Sequence, residues 1–167
     1  VAVLDASVLY PAALRHLLLS LAMAEAFHAR WTEAIQDEWT NALLRDRPHL
    51  DAGRIARTRA LMDAHFGGSI VAGYEAIVSS LTLPDPTDCH VLAAAIHCSA
   101  PVIVTMNLKH FSAAALAPHG TKALHPDVFV LELLEIDVAA VVAGARAHRA
   151  ELLNPPRTQA EYLAALE

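Results

Sequence analysis

The chain is poor in the features of a stapled, highly charged or membrane-bound protein. Its two cysteines, Cys89 and Cys98, make neither a C-x-x-C pair nor a zinc spacing. That excludes a disulfide framework and fits buried thiols in a reducing compartment. Aromatic residues are 5% and charged residues 18% of 167 positions, against 55% hydrophobic. This balance excludes a disordered chain. Positive charge is short: 12 Lys and Arg against 18 Asp and Glu give −6 with neutral histidine. Nucleic-acid binding through the overall field is disfavoured, although a local basic face or a bound metal could supply positive charge. Long uncharged apolar runs are missing too. The run 17–24 stops at Glu25, and Glu132, Glu135 and Asp137 interrupt 128–145, whereas a membrane span needs about 20 nearly uncharged residues. No basic segment precedes an apolar one at the start. No signal peptide or membrane contact is therefore expected, and the cytoplasm is the expected compartment.

What is present has the size of one ordinary domain. Residues 1–4 are an apolar run ending at Asp5, which reads as a buried strand. Further strands are expected over 30–32, 101–105 and, weakly, 121–124, with 69–71 as strand or loop. Helical composition covers 12–29, 33–44, 51–64, 74–80, 86–98, 127–135, 138–151 and 158–167. Strands alternating with helices predict an α/β fold with a mostly parallel sheet. The helix over 86–98 is apolar almost all round and should be central. Asn154-Pro155-Pro156 is the one linker-like break.

Ligands of open α/β sheets sit outside the carboxyl ends of the strands, where Asp5 stands. Asp5 alone also reads as a helix N-cap or an Asx turn. Glu38 lies three residues after Ile35 and four before Ala42, at the edge of an apolar helix face. A carboxylate there needs water, a partner or a metal. Asp85-Pro86-Thr87-Asp88 opens the central helix. Asp85 suits an N-cap, Pro86 the first helical position and Asp88 the helix dipole, yet Asp88 also falls on the inward side. Thr105, Asn107 and Ser7 are polar groups at strand-end positions. Carboxylates converging on one crevice raise each other's pKa unless a cation neutralises them, and hard divalent cations prefer such oxygen ligands.

Four stretches carry a resemblance: Val3-Leu4-Asp5-Ala6-Ser7-Val8-Leu9, Ile35-Gln36-Asp37-Glu38-Trp39, Leu83-Pro84-Asp85-Pro86-Thr87-Asp88-Cys89-His90-Val91-Leu92-Ala93-Ala94-Ala95, and Val102-Ile103-Val104-Thr105-Met106-Asn107-Leu108-Lys109. In order and spacing they resemble a PIN domain, the metal-dependent ribonuclease domain of VapC-type toxins. The resemblance implies a three-layer α/β/α fold over 1–124 and a helical C-terminal extension over 125–167. It implies that Asp5, Glu38 and Asp88 are catalytic and hold Mg²⁺ or Mn²⁺, with Asp85 as an extra acid. Many PIN domains carry an acid where this chain has Asn107, which puts a second tightly bound metal in doubt.

The same resemblance implies hydrolysis of RNA phosphodiester bonds and an antitoxin protein as partner, while the Ala-rich helix face over 12–29 could serve a homodimer or the core equally well. Ser7, Thr105 and Asn107 are the auxiliary polar groups. Arg15 and Lys109 lie close in sequence to the site and are candidate phosphate contacts. A second basic stretch sets Arg45, Arg47, Arg54, Arg57 and Arg59 against Asp46 and Asp51. Such contacts would make binding salt-sensitive. His90, on the central helix, reads as a hydrogen-bonded structural residue. Two rivals stay open. One is a PIN-like module that binds RNA or a partner without cutting. The other is a phosphatase or phosphoacceptor domain using Asp5 as nucleophile, although Ser7 stands where such phosphatases place a second Asp.

Overall fold

The computed structural model describes residues 1–152 and 158–164. The expected break at Asn154-Pro155-Pro156 and the last three residues of the expected final helix lie outside the described residues. Strand β1 (Ala2–Leu4) is buried at every position. It leads through Asp5 into a single-turn helix α1 (Ala6–Leu9) and then α2 (Ala12–Met23). Helix α2 ends earlier than its composition predicts. Glu25 takes a left-handed φ of 62°, and the Ala26 N–H donates to Leu21 O at 3.1 Å. That closes the helix and turns the chain toward the sheet. No glycine signals this turn, because Glu25 holds a conformation usually left to glycine.

Strand β2 (Ala29–Arg30) is followed by Trp31, whose N–H donates to Ser69 O and whose carbonyl accepts from Val71 N–H. Thr32, expected in the strand, instead caps helix α3 (Glu33–Asp46), its hydroxyl accepting from Ile35 N–H at 3.1 Å. Helix α4 (Ala52–His65) starts at Asp51, which caps through Gly53 N–H. A short α5 (Glu75–Val78) follows. Asp85 is indeed an N-cap, accepting from Thr87 N–H at 3.0 Å. The helix expected over 86–98 divides into a 3₁₀ turn, Pro86–Asp88, and α6 (Cys89–His97).

Strand β3 (Val102–Val104), a short α7 (Ala113–Leu116), β4 (Lys122–Leu124), α8 (Pro126–Ile136), α9 (Val138–Glu151) and α10 (Gln159–Ala164) complete the described chain. The sheet is wholly parallel, in the order β2-β1-β3-β4. Leu4 and Val104 are register partners, so the ends of β1 and β3 lie side by side. This is a three-layer α/β/α arrangement. Helix α6 is apolar almost all round because it is covered twice. Val91, Leu92 and Ala95 belong to the main core, while Ala93 and Ala94 pack with Val71 and Tyr74 in a second cluster. Cys89 is buried and Cys98 half-buried, both as free thiols.

Helix α9 lies closely on α2. A Cβ on Gly144 would stand 2.8 Å from Leu21 Cα and 2.9 Å from Ser20 O. Beyond it, buried His148 pairs through Nδ1 with the Tyr162 hydroxyl at 2.8 Å. Among the described residues, no helix is long and apolar enough to cross a membrane.

Candidate active site

The carboxyl ends of β1 and β3 open into a cleft of about 260 Å³. Its walls carry Asp5 and Ser7 from the end of β1, Glu38, Trp39 and Asp46 from α3, Asp88 from the 3₁₀ turn, and Asn107 from the loop after β3. Tyr10 completes the rim. Its hydroxyl donates to Asp46 Oδ2 at 3.3 Å.

Asp5 is only 4% exposed, so its charge needs compensation. It stands at the N-cap position of α1 but makes no capping bond. Its Oδ2 instead accepts from Ser7 Oγ at 2.6 Å and Thr105 Oγ1 at 2.7 Å. Both hydroxyls also accept, Ser7 from Met106 N–H and Thr105 from Asn107 N–H, each at 3.0 Å. Each hydroxyl therefore donates to the carboxylate and accepts from the loop that carries Asn107. The network fixes that loop as well as the acid.

Helix α3 is anchored from behind. Trp39 Nε1–H donates to Gln36 Oε1 at 2.6 Å, and Gln36 Nε2–H donates to Asp63 Oδ1 of α4 at 3.0 Å. The Arg15 guanidinium stacks over Trp39 at 4.5 Å and donates to the carbonyls of Leu9 and Tyr10. Arg15 and Lys109 are not among the residues lining the cleft. Of the other arginines, Arg59 is paired with Glu33 and Asp37, while Arg47 stands 6.0 Å from the Tyr10 ring at the rim.

Two histidines meet the acids. His90 Nε2 lies 2.9 Å from Glu38 Oε1, and His110 Nδ1 lies 2.8 Å from Asp88 Oδ2 and 3.6 Å from Asp85 Oδ2. Burial, then the charges of Asp5 and Asp85, push the Asp88 carboxyl above its ordinary range, against the opposing bond from His110. Asp85 moves the other way, because the Thr87 hydroxyl and N–H stabilise its charged form. Asp85, Asp88 and His110 offer ligand atoms within 4.8 Å of one another, the one such close-set group among the described residues. Asp5 and Glu38 share the cleft with Asp88 but not that spacing. An oxygen-rich donor set in which burial and neighbouring charges already disfavour ionisation of Asp88 fits a hard divalent cation.

The family model described as PIN domain matches residues 1–109, more than half of the chain. The chain belongs to the PIN-domain family. A second model, described as VapC50 C-terminal domain, matches residues 126–167 of this PIN-domain protein. A curated protein of Mycobacterium tuberculosis described as "Putative ribonuclease VapC50" is 47% identical over 79 residues, which are 47% of this chain and 47% of that relative. The match thus spans about half the length of the relative. No solved structure matches the chain.

Of the sequence candidates, this PIN domain brings Asp5, Ser7, Glu38, Asp88 and Asn107 to the cleft and sets Thr105 beneath Asp5. Asp85 stands at the start of the 3₁₀ turn, outside the lining. Sequence reasoning missed Asp46, Tyr10 and His110, and gave His90 no partner. Asp46 had a signal, since Glu38, Ala42 and Asp46 are spaced four apart along one helix. His110, three residues past Asn107, had none without the fold.

Proposed function

We propose that this PIN domain is a Mg²⁺- or Mn²⁺-dependent endoribonuclease that hydrolyses RNA phosphodiester bonds, and that it is the toxin of a toxin–antitoxin pair. The observation that carries the reading is the single cleft lined by Asp5, Glu38, Asp88 and Asn107 at the strand ends. The family membership and the printed name of the relative support it. Asp5, Glu38 and Asp88 are the catalytic acids and would hold the cation, with Asp85 and His110 beside Asp88. A bound divalent cation there supplies a Lewis acid for the phosphoryl oxygens and lowers the pKa of water.

The chain's own residues do the rest. Ser7 and Thr105 hold the Asp5 carboxylate in place. The Asn107 amide orients a water or a phosphate oxygen. Lys109 and Arg47 offer charge for flanking phosphates. Arg15 serves by bracing Trp39 and the end of α1, as its partners suggest, rather than by touching RNA. Residues 1–124 form the nuclease body and 125–167 an extension, docked where α9 meets α2. An antitoxin protein as partner, a homodimer and a cytoplasmic location belong to the same reading.

The test is cleavage of a mixed RNA panel with Mn²⁺ by the wild type and by Asp5→Asn purified identically. Cleavage by the wild type alone, quenched by EDTA, is the expected result. Equal cleavage by both proteins refutes the assignment. Cleavage by neither protein together with no Mn²⁺ binding favours a non-catalytic binding module.

A further inference from the structure

Glu38 is the loosest of the proposed acids. Its side chain is 43% exposed, on a helix edge, with several rotatable bonds. Asp5 is fixed by two hydroxyls, whereas among the described residues one group holds Glu38. His90 Nε2 lies 2.9 Å from Glu38 Oε1, across 52 residues of sequence. The His90 side chain is only 15% exposed. Its other ring nitrogen, Nδ1, is buried and has no hydrogen-bond partner among the described residues. A carboxylate only accepts, so Nε2 must carry the proton that is shared. The ring therefore donates to the carboxylate and fixes it. Glu38 Oε2 keeps no hydrogen bond to protein among the described residues and remains for the cleft.

We infer that His90 is the positioning residue of the site, holding Glu38 at the cleft wall for cation binding. The inference rests on the nuclease reading in one respect, that Glu38 is a cation ligand. One segment then supplies Asp88 to the cleft and, two residues on, the group that orients the acid facing it from α3. This ties metal affinity to the contact between α3 and α6. Partners that orient a ligand in this way are typically worth ~10–100-fold in metal affinity.

The experiment is calorimetric Mn²⁺ titration of the full chain as wild type, Glu38→Gln, His90→Leu and His90→Gln, with melting curves in EDTA. His90→Leu keeps the apolar bulk and removes the donor. His90→Gln keeps an N–H at similar reach. Binding weakened about tenfold or more in His90→Leu, and largely restored in His90→Gln, is expected. A packing role predicts the opposite order, with Leu nearer the wild type. Unchanged or tighter binding in His90→Leu overturns the inference alone, as does equal loss in Leu and Gln. Should His90→Leu fail to fold, His90→Asn, too short to reach Glu38, takes its place under the same criteria. Absence of Mn²⁺ binding by the wild type, or equal binding by Glu38→Gln, overturns the cation reading itself and the inference with it.

Discussion

Replacing Thr105 by valine isolates what holds a buried carboxylate at this site. Thr105 is fully buried, and valine fills nearly the same volume. The change removes the 2.7 Å bond from Thr105 Oγ1 to Asp5 Oδ2, leaving Ser7 as the remaining hydroxyl donor. A hydrogen bond to a charged group contributes about 1.5–3 kcal/mol. The second loss is smaller, because Asn107, whose N–H donated to Thr105, is exposed and its N–H can turn to water. Thr105→Val should therefore cost about 2–3 kcal/mol in urea unfolding with EDTA present. For a chain of this size that corresponds to a melting temperature lower by roughly 4–12 °C. The decisive comparison repeats the change in Asp5→Asn. A neutral acceptor needs the donor less, so the cost there should fall to about 0.5–1.5 kcal/mol. Equal costs in the two backgrounds, or a cost below about 0.5 kcal/mol in the wild type, would refute the claim that these hydroxyls support the Asp5 charge.

Gly144→Ala sets helix propensity against steric fit. Alanine gains about 1 kcal/mol in a helix, but its Cβ would meet backbone atoms of α2 at 2.8 and 2.9 Å, and overpacking costs typically 1–3 kcal/mol. A lower melting temperature is expected, and an unchanged or higher one would show that α9 is not seated on α2 this closely. Asp88→Asn should act in the opposite direction in metal-free protein. The folded-state pKa of Asp88 is raised, so its charged form costs stability once pH passes that value. Melting in EDTA should be higher for Asp88→Asn than for wild type at neutral pH. The gap should close as pH falls through the carboxylate range near about pH 4. A gap of the opposite sign at neutral pH would contradict the electrostatic account of the cleft. Arg59→Ala, which breaks the pairs with Glu33 and Asp37 on exposed surface, should cost no more than about 1 kcal/mol by urea unfolding.

The sheet and the acids were legible where local pattern and tertiary role agree. Apolar runs ending in Asp5 and Thr105 announced two strand ends, and the all-round apolar helix after Asp88 announced the centre. The helix over 138–151 was read from sequence with the bounds it has in the fold. Pattern failed where one residue serves a long-range need. Thr32 looks like strand, as Trp31 does, but Trp31 keeps a parallel bridge to Ile70 whereas Thr32 leaves the sheet to cap α3. Glu25 takes a left-handed conformation with no glycine to mark it, so the end of α2 was invisible, whereas the end of α6 was read to within one residue. The histidines were the hardest. Ten are scattered along the chain, and only the fold brings His90 to Glu38 and His110 to Asp88.

The central claim is that the cleft at the ends of β1 and β3 holds a divalent cation on Asp5, Glu38 and Asp88. Anomalous diffraction from crystals soaked in Mn²⁺ tests it most directly. The account predicts an anomalous peak inside the cleft, within ligand distance of Asp88 and of Asp5 or Glu38, and its loss in Asp88→Asn. A peak confined to the outer group of Asp85 and His110, or no peak in the cleft at saturating Mn²⁺, would contradict it.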